Sequence, residues 1–135
     1  MAFEHRITVR FQDVDRAGIA FFGCVFSYCH EAYEELLNAI GYPLVDIFDA
    51  EGWGMPLVHA KSDFVAPMRM GEVLSITIHV ARLGDSSITL RFEVSGAMDG
   101  RRRAEVEHVH ACIDLATFQK RSIPDRLREA FAELA

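Results

Sequence analysis

The chain has 135 residues, half of them apolar, and a formal net charge of −6. That length suits a single domain, residues 1–135, with a core that needs no disulfide or metal staples. The acidic balance argues against sequence-independent nucleic-acid binding, and no apolar run approaches the roughly 18 residues of a membrane span.

The N-terminal stretch MAFEHRITVRF lacks the apolar segment and small-residue cleavage site of a secretory signal, so a cytoplasmic address is expected. Strict alternation over Ile7–Gln12 predicts a strand with one apolar face. An Asp-rich turn follows. From Phe22 the period changes, with Val25, Phe26, Cys29, Ala32, Tyr33, Leu36, Leu37 and Ile40 recurring at three and four. This predicts a helix of about four to five turns, stopped by Gly41 and Pro43. Glu31, Glu34 and Glu35 mark its solvated face.

An irregular segment is expected from Tyr42 to Pro56, then strands over Leu57–Phe64, Leu74–Val80, Ile88–Val94 and Ala104–Leu115, the last with a bulge near His108. Gly84-Asp85 and Asp99-Gly100 are turn signals between them. Pro124 opens a short final helix with Leu127, Phe131 and Leu134 as its apolar stripe. The order is strand, long helix, antiparallel strands, small helix. A long helix with a wide apolar face needs a sheet broad enough to cover it, which implies an α+β architecture: an antiparallel β-sheet wrapped around a long central helix.

The stretch FQDVDRAGIAFFG carries two carboxylates where a turn needs one, followed by a helix start with no capping side chain. Either Asp15 closes the turn or it is held ready for chemistry, as a nucleophile or a general base. Asp13 reads as structural. Helix N-terminal N–H groups lack intrahelical acceptors and carry about half a positive charge, so an uncapped start can polarise a carbonyl.

Several motifs carry a family resemblance: D-x-D-x-A-G-I at Asp13–Ile19, D-F-V-A-P-M-R-M-G-E at Asp63–Glu72, R-L-G-D-S-S at Arg82–Ser87 and I-P-D-R-L at Ile123–Leu127. In this order and spacing, the chain resembles the 4-hydroxybenzoyl-CoA thioesterase family, hotdog-fold acyl-CoA thioesterases that include the YbgC-like enzymes. The resemblance implies a hotdog fold, hydrolysis of an acyl-CoA with an aromatic or short acyl group, and Asp15 as the catalytic carboxylate. It places the carbonyl-polarising backbone N–H at Phe22 and puts His30, Met55 and Trp53 at the acyl group. Many YbgC-like members carry Tyr-His at the helix start; this chain has Phe21-Phe22, which implies a carboxylate working with backbone donors alone. The resemblance further implies a homodimer or homotetramer with active sites between subunits. It implies no cofactor besides the coenzyme A of the substrate. The alternatives are a hotdog enoyl-CoA hydratase or dehydratase and a non-catalytic acyl-CoA-binding module.

Other features are expected to be structural. Cys24, Cys29 and Cys112 form no disulfide framework. Cys24 and Cys29 with His30 suggest a haem attachment only superficially, because positions five apart on a helix diverge by about 140°. His108 and His110 share a strand face without a third ligand at metal spacing, so no metal is expected, and both read as hydrogen-bonded or solvated. Arg101-Arg102-Arg103 reads as a solvated turn, or else as an anchor for coenzyme A phosphates.

Overall fold

A computed structural model describes residues 2–45 and 51–134; of the expected irregular segment, residues 46–50 lie outside the described residues. Strand β1 (Phe3–Thr8) leads through a short 3-10 turn (Phe11–Asp13) to helix α1 (Cys24–Ala39). Strands β2 (Trp53–Gly54), β3 (Leu57–Phe64), β4 (Val73–Leu83), β5 (Ser87–Gly96), β6 (Arg102–Ala111) and β7 (Ile113–Asp114) follow, then helix α2 (Asp125–Ala132). Five strands form one antiparallel sheet in the order β1-β4-β5-β6-β3, and β2 pairs with β7 in a separate two-stranded ladder. No helix among the described residues is long and apolar enough to cross a membrane.

The core lies between α1 and one face of the sheet. Val25, Tyr28, Cys29, Ala32, Tyr33, Leu36 and Leu37 form the buried stripe of α1. Opposite them, every second residue of β4 and β5 is buried, from Leu74 to Val80 and from Ile88 to Val94. These two periods, near 3.6 and 2, are what let a helix stripe and a sheet face close on each other. The C-terminus of α1 closes with Gly41 at φ +86°, its N–H donating to the Asn38 carbonyl at 3.2 Å while the Tyr42 N–H donates to Leu37 at 2.8 Å. Glycine at this left-handed position avoids the Cβ clash and lets both orphan carbonyls be used. At the other end Gly23 caps α1 with no side-chain hydrogen bond.

Four local expectations need correction. The first strand is Phe3–Thr8, not Ile7–Gln12. Its partners on β4 run from Ile78 to Val73, and the alternation beyond Val9 carries Phe11 out into solvent. Helix α1 begins at Cys24, two residues after Phe22. The last strand breaks at Cys112 into β6 and β7. Finally, the pairing of β6 with β5 is continuous through His108 and shifts instead between Val94–Ala104 and Ser95–Arg102, leaving Arg103 as the extra residue.

That bulge turns Arg103 inward. Only 8% exposed, it donates to Glu72 at 2.8 Å and 3.3 Å, to Asp99 at 2.8 Å and to the Arg101 carbonyl at 2.8 Å. The two carboxylates hold its guanidinium protonated, and Arg103 in turn lowers the Asp99 carboxyl below its ordinary range. Gly96 leaves room for this cluster. A Cβ there would lie 2.6 Å from the Arg103 Nη2 and closer still to Asp99 Oδ1. Gly96→Ala is therefore expected to lower stability by about 1–3 kcal/mol through overpacking, read as a melting temperature several degrees lower. An unchanged melting temperature would show that the cluster yields at no cost.

Candidate active site

The Asp15 turn is a small closed hairpin. Val14 and Ala20 form an antiparallel bridge, the Asp15 N–H donates to Ile19 at 3.0 Å, and the Gly18 N–H donates to the Asp15 carbonyl at 3.0 Å. Gly18 adopts φ +79°, a conformation side chains resist. Asp15 itself is exposed, and its Oδ1 accepts one hydrogen bond, from the Ala17 N–H at 2.8 Å. No bond to Oδ2 exists among the described residues, so one carboxylate oxygen is free to act.

Asp13 does a different job. Its Oδ2 accepts from the Arg10 N–H at 3.0 Å and the Tyr28 hydroxyl at 2.8 Å, and its carbonyl accepts from the Phe21 N–H at 2.8 Å. It thus ties the turn to α1. Burial, and then this hydrogen bond, raise the Tyr28 phenol far above its usual range. Burial also raises the Cys24 thiol, with Asp13 adding to the effect, so Cys24 is not a poised nucleophile.

At the start of α1 the Phe21 N–H is taken by Asp13, whereas the Phe22 N–H has no acceptor among the described residues. Asp15 and Phe22 line one cleft of about 460 Å³, walled by Ile19, Phe21, Phe64, Val65 and Pro67. The far wall is anchored from behind, since the Val65 and Ala66 N–H groups both donate to the Arg103 carbonyl. Asp15, with one unbonded carboxylate oxygen, and Phe22, whose N–H in the turn before α1 has no acceptor among the described residues, border the same space, a pairing suited to acyl transfer through an oxyanion.

His30, Met55 and Trp53 come together elsewhere. They line a separate apolar cavity of about 320 Å³ with Tyr33, Leu115 and Phe118, and it shares no lining residue with the Asp15 cleft. Two features of this cavity escape a reading of the sequence. Tyr33 belongs to the helix stripe yet lines the cavity. Phe118 takes φ +59°, unusual for a bulky residue, in a turn capped by Asp114 Oδ1 through the Ala116 and Thr117 N–H groups. Its side chain remains 71% exposed at the cavity wall, so the strained backbone presents an aromatic ring there. An Asp four residues before the Phe was the available signal for that turn.

His108 and His110 are fully buried rather than solvated, and His108 has no hydrogen-bond partner at either nitrogen among the described residues. Burial lowers both imidazoles to about 4, so each is neutral near pH 7. Arg103 is buried and engaged by Glu72, Asp99 and the Arg101 carbonyl rather than presented to solvent, and Arg102 pairs with Glu93 and Glu105. Glu31, on the far side of α1 from the cavity, meets the His5 imidazole at 2.8 Å.

The chain is similar to known proteins over nearly its whole length. The thioesterase-like superfamily matches residues 9–131. A 1,4-dihydroxy-2-naphthoyl-CoA hydrolase of Nostoc punctiforme is 39% identical over 127 residues, covering 94% of this chain and 84% of that protein. Among solved structures, a 1,4-dihydroxy-2-naphthoyl-CoA thioesterase from Synechocystis superposes with a TM-score of 0.93 at 29% identity, covering 99% of this chain and 98% of the other. A gentisyl-coenzyme A thioesterase superposes with a TM-score of 0.85 at 27% identity over 95% of this chain and 98% of the other. These relatives are hydrolases and thioesterases, neither hydratases nor binding modules. The chain belongs to the thioesterase-like superfamily, has its hotdog fold, and is a thioester hydrolase.

Proposed function

We propose that the acyl-CoA thioester hydrolysed by this chain carries a hydroxylated aromatic acyl group, with Asp15 as nucleophile or general base and the Phe22 N–H polarising the carbonyl. The observation that carries the catalytic part is the cleft shared by Asp15 and Phe22, in the turn that leads into α1. A carboxylate oxygen or an activated water adds to the thioester carbon, and the carbonyl oxygen becomes an oxyanion facing the Phe22 N–H. Collapse breaks the C–S bond and releases coenzyme A, whose sulfur takes up a proton. If Asp15 attacks directly, water then hydrolyses the resulting anhydride and regenerates the carboxylate. Preorganised donors of this kind contribute about 2.7–4 kcal/mol in other enzymes.

The aromatic acyl group is supported by the cavity of His30, Tyr33, Trp53 and Phe118, and by the two dihydroxylated arenes named for the relatives. Its 320 Å³ lies at the lower end of the roughly 300–1,000 Å³ range of ligand sites, which suits a ring better than a long chain. Within the superfamily this reading places the chain beside the 4-hydroxybenzoyl-CoA and YbgC-like thioesterases. The enzyme would act in the cytoplasm, without a cofactor of its own.

The working unit in this reading is a homodimer or a homotetramer built from it. The Asp15 cleft and the His30 cavity of one copy are separate and share no lining residue. The cleft of one copy would then meet the cavity of another. Strand β3 supplies a surface for this: it ends the sheet order, and Leu57, Val58, Phe64 and Val65 are exposed at or beside it.

The test is a free-thiol assay over hydroxyaroyl-, benzoyl-, acetyl- and palmitoyl-CoA. Hydroxyaroyl-CoA esters are expected to give the highest kcat/KM, and faster turnover of the aliphatic esters would overturn the assignment. Val58→Asp on β3 is expected to give an inactive monomer by light scattering, and a fully active monomer would refute the shared site.

A further inference from the structure

Behind the acyl cavity lies a group of aromatic nitrogens that catalysis at Asp15 does not use. The His110 Nδ1 meets the Met55 carbonyl at 2.9 Å. A carbonyl only accepts, so Nδ1 carries the proton and Nε2 keeps a bare lone pair. That Nε2 is buried and has no partner among the described residues, and both nitrogens of His108 share this condition. His30 brings a third imidazole, with its ring centroid 6.0 Å from His110 and 6.4 Å from His108. Tyr33 stacks on His110 at 4.2 Å, and His30, Tyr33 and Met55 all line the cavity. Among the described residues, no group of three His, Cys, Asp or Glu side chains is placed to hold a metal ion. What the cluster offers under an otherwise apolar wall is the bare acceptor of His110 and, on neutral His108, one acceptor and one N–H donor. Buried acceptors without donors are uncommon in native proteins and ask for a ligand that supplies the donor.

The acyl groups named for the relatives have a suitable donor. A hydroxyl ortho to the thioester closes a hydrogen bond with the thioester carbonyl and needs nothing from the protein. In 1,4-dihydroxy-2-naphthoyl and gentisyl groups alike, the second hydroxyl lies para to that one and cannot reach the carbonyl. On entering an apolar cavity it loses water and must find an acceptor. We infer that the His30, His108 and His110 cluster recognises this distal ring hydroxyl, with His30 at the wall and the His110 Nε2 behind it as acceptors. The inference rests on the acyl-group assignment above and adds the residues that read it. A site built to hydrogen-bond a hydroxyl rejects an analogue lacking it far more strongly than an apolar pocket does.

The experiment compares matched product acids that differ only in the distal hydroxyl: gentisate against salicylate, and 1,4-dihydroxy-2-naphthoate against 1-hydroxy-2-naphthoate. Trp53, the single tryptophan of the chain and part of the cavity wall, reports binding by its fluorescence. The wild type is expected to bind the dihydroxy acids at least about tenfold more tightly than their partners, and His30→Phe and His110→Phe to shrink that preference to about threefold or less. Because His110 is buried and its replacement can impair folding, exposed His30 supplies the variant that decides. Absence of preference in the wild type, or its persistence in His30→Phe, overturns the inference. Binding needs no turnover, so the two readings fail separately. Preference for the dihydroxy acids without hydrolysis of any aroyl-CoA would sink only the proposed function, and hydrolysis without preference would sink only the hydroxyl subsite.

Discussion

Asp15→Asn is expected to lower kcat by about 10²–10⁴ while leaving the melting temperature within a degree or two of wild type. Asparagine keeps the side-chain oxygen that accepts from the Ala17 N–H, so the turn loses nothing it uses. What disappears is the second carboxylate oxygen, exposed in the cleft and without a partner among the described residues. Asp13→Ala should show the opposite pattern in stability. It leaves the buried Tyr28 hydroxyl and the Arg10 N–H without their acceptor, at about 1–3 kcal/mol for the unpaired groups. The pair of variants separates the two carboxylates of one short loop by what each does. Thiol release followed alongside thermal melting provides the check, and wild-type turnover by folded Asp15→Asn would end the single-carboxylate mechanism.

The parts legible in the sequence are those whose causes are local. The Asp13–Gly23 stretch encodes its turn through Asp15 and Gly18, the α1 stripe shows directly as a period near 3.6, and β4 and β5 show as alternation. Strand β1 was harder because Val9 stays buried after the ladder ends, which extends the alternating pattern past Thr8. Arg103 reads as one of three like charges in a turn. Its burial depends on Glu72, which is 31 positions away, and on a bulge that no local pattern announces. His108 and His110 alternate correctly for one strand face, but only the sheet order places that face beneath His30 and Tyr33. The cavity joins segments around residues 30, 55 and 115, so its lining follows from tertiary closure rather than from any motif.

The buried imidazoles predict how the protein fails in acid. Both are fully buried, and burial lowers each from the ordinary 6.5 to about 4. Besides Phe26, the groups facing them from α1 are His30 and Tyr33, neither of which supplies a negative charge near neutral pH. Between pH 6.5 and 4 the unfolded chain takes up protons that the folded chain refuses. Stability is therefore complete above about 6.5, declines as pH falls, and stops declining from this source below about 4. At about 1.4 kcal/mol per pH unit, each imidazole withdraws roughly 3 kcal/mol across the window, and together they approach the stability of a typical domain. Asp99 and Asp114 have carboxyls held below their usual 3.8 by Arg103 and by the Thr117 N–H respectively, so their contributions are lost at lower pH. The window thus belongs to the imidazoles. His108→Leu is expected to raise stability at pH 7.5 by about 1–3 kcal/mol, since an unpartnered polar group leaves the core, and to flatten the acid slope by about half. Urea unfolding at pH 7.5, 6.0 and 5.0 measures both effects. An acid slope that is the same in wild type and His108→Leu would show that the proton is taken up elsewhere.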